Sequence, residues 1–231
     1  TRRPTVAVDR DPTVATLLKA GTPTVALFGK SWTLHVEQVL RCGLEQNLRL
    51  IQDSVAYLVA NHREVIFDAE HFFDGFGADP VYAVETLLAA ESGGARRVVL
   101  CDTNGGTMPG TVARVVAAVR PRLSVPFGIH THNDAGVAVA NALLAVEQGA
   151  TQVQGTFNGY GERCGNANLC VLIPDLELKL GRRTIGRARL RELMEFSRFL
   201  SEMANVYHDH RQPYVGESAF AHKGGVHVDA M

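Results

Sequence analysis

Two histidines separated by one residue, His130 and His132, close an apolar run that reaches Ile129. In an extended chain, side chains two residues apart point the same way, so both imidazoles face one side as a pair of nitrogen donors for a divalent metal. Taken alone, the pair fits equally well as two histidines satisfied by hydrogen bonds or solvent. His132-Asn133-Asp134-Ala135-Gly136 suits a helix start, with Asn133 or Asp134 as its cap and Asp134 able to orient a metal-bound ring. Asp68 and Glu70 repeat the two-residue spacing after Val65-Ile66-Phe67. Two carboxylates facing one way can hold a substrate or exchange protons with it. Asp102-Thr103 ends a third apolar run, where Thr103 could offer its hydroxyl to an anionic substrate or the pair could cap a helix.

The segment Asn158-Gly159-Tyr160-Gly161-Glu162-Arg163-Cys164-Gly165-Asn166 is too polar and glycine-rich for a simple connector. It reads as a binding loop in which Asn166 can present an amide oxygen to a hard cation, and Glu162 and Arg163 can pair. Further on, Gly224-Gly225-Val226-His227 places tight backbone beside a histidine, which read alone is structural. Arg182, Arg183, Arg187, Arg189 and Arg191 are followed by Glu192 and Glu195, the pattern of a solvated helix start. His208-Asp209-His210 resembles a metal pair but fits a polar helix end better. Cys164 lies in the polar loop without the histidine partner of a cysteine nucleophile.

These groups need elements to position them. Five short apolar runs, near residues 24–28, 65–67, 98–101, 125–129 and 152–156, read as buried strands. Segments of helical spacing lie between them, such as Val36, Val39, Leu40, Leu44, Leu48 and Ile51, or Val112, Val115, Val116 and Val119. Asp79-Pro80 marks a helix start, and Gly93-Gly94 and Gly149-Ala150 mark helix ends. The order is βαβα, with polar residues at every strand's carboxyl end, as a TIM barrel builds its site; a doubly wound sheet loads mainly its switch point.

Eight βα units need roughly 240 residues, and the strand pattern stops after Ile173-Pro174. The expected fold is therefore α/β, an incomplete TIM barrel of about five of eight units, with the remaining units expected to precede Thr1. Residues 1–180 are assigned to the barrel's later part and 181–231 to the start of a helical linker subdomain, with Ile185 to Val206 as one helix.

The balance of 23 Lys plus Arg against 24 Asp plus Glu leaves a formal charge of -1, which gives no field to attract nucleic acid or an anionic membrane. No apolar run approaches the roughly 18 residues of a membrane span, and no secretory signal is visible, so a cytoplasmic location is expected. Four widely spaced cysteines do not suggest a disulfide framework.

The chain resembles the metal-dependent Claisen condensing enzymes, the group that includes 2-isopropylmalate, homocitrate and citramalate synthases. The resemblance rests on His-Thr-His-Asn-Asp-Ala-Gly at 130–136, Gly-Glu-Arg-Cys-Gly-Asn at 161–166 and Gly-Gly-Val-His at 224–227. Gly29-Lys30-Ser31-Trp32, Asp68 to Gly75 and Cys101 to Gly106 look most like the bacterial citramalate synthase branch. It implies an acyltransferase that condenses acetyl-CoA with pyruvate to (R)-citramalate, on a threonine-independent route to isoleucine. The same resemblance implies a divalent ion, Mg, Mn or Zn, on His130 and His132, with Asn166 as a weaker position. It places Thr103 on the oxo acid carboxylate, Glu70 near acetyl-CoA, and His227 as base or its partner; Asp68 is expected on the substrate from the carboxylate pair alone. A homodimer is implied as well. The Arg-Asp-Gly motif of the family's first strand, which supplies a metal-binding Asp, has no counterpart in these residues. The alternatives are a 2-isopropylmalate synthase acting on 2-oxoisovalerate, a barrel metal hydrolase, and an inactive fragment.

Overall fold

In the computed structural model, which describes residues 2–221, all five expected strands form and join in one parallel sheet. β1 (Thr24–Lys30), β2 (Glu64–Glu70), β3 (Arg97–Asp102), β4 (Phe127–Thr131) and β5 (Gln152–Gln154) lie in the order β1-β2-β3-β4-β5. Each strand pairs with the one before it in sequence, without reversal. A barrel wall is wound this way, whereas a doubly wound sheet changes direction at a switch point. The chain divides into two compact units at Gln154/Gly155.

In the first unit the strands alternate with helices: α1 (Pro12–Lys19) before β1, then α2 (Thr33–His35), α3 (Leu44–Ala60), α4 (Phe72–Ala78), α5 (Pro80–Ser92), α6 (Pro109–Val119) and α7 (Ala138–Glu147). α3 buries Asn47, Leu50, Ile51, Ser54, Val55 and Leu58, a three-and-four spacing that makes one stripe. Fully burying a side chain such as Leu58 contributes about 1.5–3 kcal/mol. Asp79 caps α5 as expected: its Oδ1 accepts the Tyr82 N–H at 3.0 Å, and Pro80 fills the first helical position. The spacing from Val36 to Ile51 predicts one helix, but the chain breaks there. Arg41 turns left-handed at φ 55° and Cys42 N–H closes on the Val36 carbonyl, so a wide turn over Val36–Leu40 ends before Gly43 starts α3.

The sheet has two unlike faces. Val25, Leu27, Val65, Phe67 and Ala69 are buried on one side, and the alternate residues Phe28, Lys30, Asp68 and Glu70 point to the other. Parallel register places Phe28 opposite Asp68, Lys30 opposite Glu70, and His130 opposite Gln154. The chemistry-bearing side chains therefore share the face opposite the apolar one.

The second unit holds a polar loop, α8 (Leu169–Pro174) and α9 (Leu193–Met203) around a core of Cys170, Ile173, Leu193 and Val215. The single helix expected from Ile185 to Val206 is shorter. Before it, Glu177 captures the Thr184 N–H and hydroxyl at 2.8 Å each and the Gly186 N–H at 2.6 Å, holding that stretch as a loop. A 3-10 segment, Arg187–Glu192, then leads into α9. At the other end Asn205 is left-handed, Val206 N–H reaches the Ser201 carbonyl and Asn205 N–H the Glu202 carbonyl, a Schellman closure that stops the helix. Among the described residues, no helix is long and apolar enough to cross a membrane. All four cysteines are free thiols.

Candidate active site

His130 and His132 point to one side, as a period of two requires. Their rings lie side by side, centroids 5.1 Å apart and planes 20° from parallel. His130 belongs to β4; His132 is one residue past its end, where its N–H bonds to the Asp102 carbonyl at 3.2 Å and extends the β3–β4 pairing. The turn beyond is fixed by close packing. Gly105, at φ +65°, has no room for a Cβ, which would meet the Asp134 carboxylate, and its carbonyl accepts the Ala135 N–H. Neither Asn133 nor Asp134 caps a helix as the sequence suggested: α7 starts later, at Ala138, with Val137 at its N-cap, and Asn133 reaches it only through its Oδ1, which accepts the Ala138 N–H at 3.2 Å from across the turn.

Asp68 reaches the same place from β2. Its Oδ1 accepts from Gln154 Nε2 at 2.9 Å, and Gln154 Oε1 lies 2.8 Å from His130 Nδ1. Burial pushes the Asp68 carboxyl above its usual value, against the Gln154 hydrogen bond and the nearby His130 ring. Glu70, two residues on, pairs with Lys30 Nζ at 2.5 Å. The structure thus brings Asp68 to His130 through Gln154, and Glu70 to Lys30.

Thr103 Oγ1 accepts the His71 N–H at 2.8 Å. Asp102 does not cap a helix: it accepts the Thr107 hydroxyl at 2.7 Å and N–H at 3.3 Å, shaping the turn that precedes α6. Burial raises the Asp102 carboxyl against these bonds. A group not singled out by the sequence stands next to Thr103. His71, left-handed at φ 54°, bonds through Nδ1 to Asp74 at 3.1 Å, and its ring meets His35 edge-on at 4.4 Å beside Trp32. Burial, then His71 and Lys30, lowers the His35 pKa, which favours the neutral ring.

In the second unit, Asn166 N–H bonds to the Gly159 carbonyl at 3.0 Å, and its side-chain nitrogen faces the Tyr160 carbonyl at 3.3 Å. Gly165, at φ +85°, would drive a Cβ into the Gly159 carbonyl, which explains the glycine in this loop. Glu162 and Arg163 do pair, at 3.8 Å, with Glu162 81% exposed, so the contact is a surface one. His208 and Asp209 are not the end of α9: His208 Nε2 meets Ser197 Oγ at 2.9 Å, and Asp209 turns back on the Arg211 N–H. His227 and the Gly-Gly before it lie outside the described residues.

Paired imidazoles, one with its Nδ1 held by an amide oxygen, fit a divalent ion as two nitrogen donors of its shell. Among the described residues no cluster of three or more His, Cys, Asp or Glu completes such a shell. Gln154, which joins His130 to Asp68, is the neighbour that the sequence did not reveal. Its only signal is two glutamines, Gln152 and Gln154, at period two in a short strand.

Comparison with known proteins matches residues 4–199 to the HMGL-like family. The (R)-citramalate synthase of Geobacter sulfurreducens is 55% identical over the whole chain, which covers 44% of that relative. A probable 2-isopropylmalate synthase of Methanosarcina acetivorans is 34% identical over 81% of the chain, which covers 35% of the relative. The chain thus spans less than half the length of either. A solved HMG-CoA lyase from Acinetobacter baumannii, in complex with coenzyme A and 3-methylmalate, superposes with a TM-score of 0.72. It is 22% identical, with 91% of this chain and 71% of that one covered, and so speaks for the fold.

Proposed function

From the chain's membership of the HMGL-like family, which the match over residues 4–199 establishes, we propose that it serves the condensation of acetyl-CoA with pyruvate to (R)-citramalate. The observation that carries the reaction class is the imidazole pair on the polar face of the sheet, tied through Gln154 to the Asp68 carboxylate. The choice of oxo acid rests on similarity, 55% to a citramalate synthase against 34% to a probable 2-isopropylmalate synthase.

In this reading His130 and His132 would hold a divalent ion, with Asn166 as a weaker position. That ion would polarise the ketone of the oxo acid and fix its carboxylate. The residues do the rest. Thr103 donates its hydroxyl to the pyruvate carboxylate, and Asp68 lies on the same substrate side. His227, alone or with Glu70, takes a proton from the acetyl methyl group, and Lys30 holds the Glu70 carboxylate in place. The enolate carbon bonds to the ketone carbon, and the carbonyl electron pair moves to oxygen, which gains a proton. Water then cleaves the thioester and releases CoA. A homodimer, a cytoplasmic location and a place in isoleucine synthesis belong to the same proposal.

The test is CoA release by the full-length protein, with pyruvate and 2-oxoisovalerate supplied in parallel. Pyruvate is expected to give the higher kcat/KM by more than about 10-fold, the scale on which a pocket separates substrates differing by a few carbons. A preference for the branched acid would reject this reading in favour of 2-isopropylmalate synthesis.

A further inference from the structure

We infer that Gln154 is a positioning residue that sets the tautomer of His130, placing the ring proton on Nδ1 and the lone pair on Nε2. The inference deepens the proposed metal site and rests on His130 being one of its nitrogen donors.

An amide has one accepting end and one donating end, and its sense is decided by what it meets. Gln154 meets a carboxylate on one side and an imidazole nitrogen on the other, at 2.9 and 2.8 Å. A carboxylate only accepts, so the amide nitrogen must face Asp68 and the oxygen must face His130. Nδ1 then has to donate. In a neutral ring this leaves the lone pair on Nε2, the nitrogen a ligand would present.

Strand register makes the arrangement specific. His130 and Gln154 are direct partners in the β4–β5 ladder, so their side chains share a face, and Asp68 comes from β2, two strands from β4. Gln152, on the same side of β5 as Gln154, supplies a control within the structure. Its neighbour is Arg97, a pure donor, and the amide is turned the other way, with Oε1 accepting from Arg97 Nη1 at 3.0 Å. Two glutamines two residues apart are thus oriented oppositely, each by the charged group it faces.

Residues that orient a metal-binding imidazole affect affinity by about 10- to 100-fold. The test uses full-length protein labelled with 15N-histidine and kept metal-free at pH 8, with His130→Ala used only to assign the resonances. In the wild type, His130 should show a protonated-type Nδ1 and a lone-pair-type Nε2. Gln154→Met, similar in size but without the polar ends, should shift the ring towards the Nε2–H form. It should also weaken Mn(II) or Zn(II) binding by about 10- to 100-fold, with circular dichroism unchanged. Asp68→Asn should shift the tautomer partway, because either amide orientation then becomes tolerable; it carries the test if the Met variant does not fold.

A wild-type His130 protonated on Nε2 would overturn the inference, as would a Gln154→Met protein with the wild-type tautomer. An unchanged metal affinity beside a shifted tautomer would overturn the positioning role. A wild-type protein that binds no divalent ion would instead reject the proposed metal site, and the tautomer spectra would still decide what Gln154 does.

Discussion

The two faces of the parallel sheet are made by alternate residues of the same strands, yet they are held by different physics. On one face Val65, Phe67, Ala69, Val98, Leu100 and Ile129 are fully buried, and what stabilises them is filled volume. On the other, Lys30 with Glu70, and Asp68 with Gln154 and His130, are held by direction: each donor has an acceptor across a strand boundary. The first face tolerates a change of volume or polarity badly, because its side chains are close-packed. The second depends on orientation, so small changes there should alter chemistry before they alter stability.

The largest expected effect lies on the apolar face. Phe67→Ala removes a fully buried ring and should cost about 3–5 kcal/mol, read as a lower midpoint in urea unfolding. A loss below about 1 kcal/mol would mean the face is not packed as described. A smaller effect is expected across the sheet. Lys30→Met leaves Glu70 without its partner at a site only 23% exposed and should cost about 1–3 kcal/mol. Its signature should be functional: acetyl-CoA turnover should fall by more than the stability loss explains. If both variants lost stability equally and kept equal activity, the contrast between the faces would be wrong.

The legible parts of the fold were those decided by nearest neighbours in sequence. Val98-Val99-Leu100-Cys101 could be little but a buried strand, and His130 and His132 had to share a side because strand periodicity is two. Asp79-Pro80 announced the cap that Tyr82 uses. Breaks set by contacts more than one helical turn apart were hidden. Leu40 and Leu44 keep helical spacing straight through the turn at Arg41, and the late start of α9 follows from Glu177 gripping Thr184 and Gly186, seven and nine residues away. In the site, Gln154 gave almost no signal, because its meaning comes from β4–β5 register and from an aspartate 86 residues distant. Position in the chain could not show which end of that amide would face the histidine.

The central claim is that His130 and His132 together bind a divalent cation on the polar face. Isothermal titration of the metal-free full-length protein with Mn(II) or Zn(II) tests it most directly, with His130→Ala and His132→Ala compared against the wild type. The account predicts one ion per chain in the wild type and, in either folded variant, affinity reduced by more than about 100-fold, beyond what loss of a supporting residue costs. Folded variants that bind the ion with wild-type stoichiometry and affinity would contradict it.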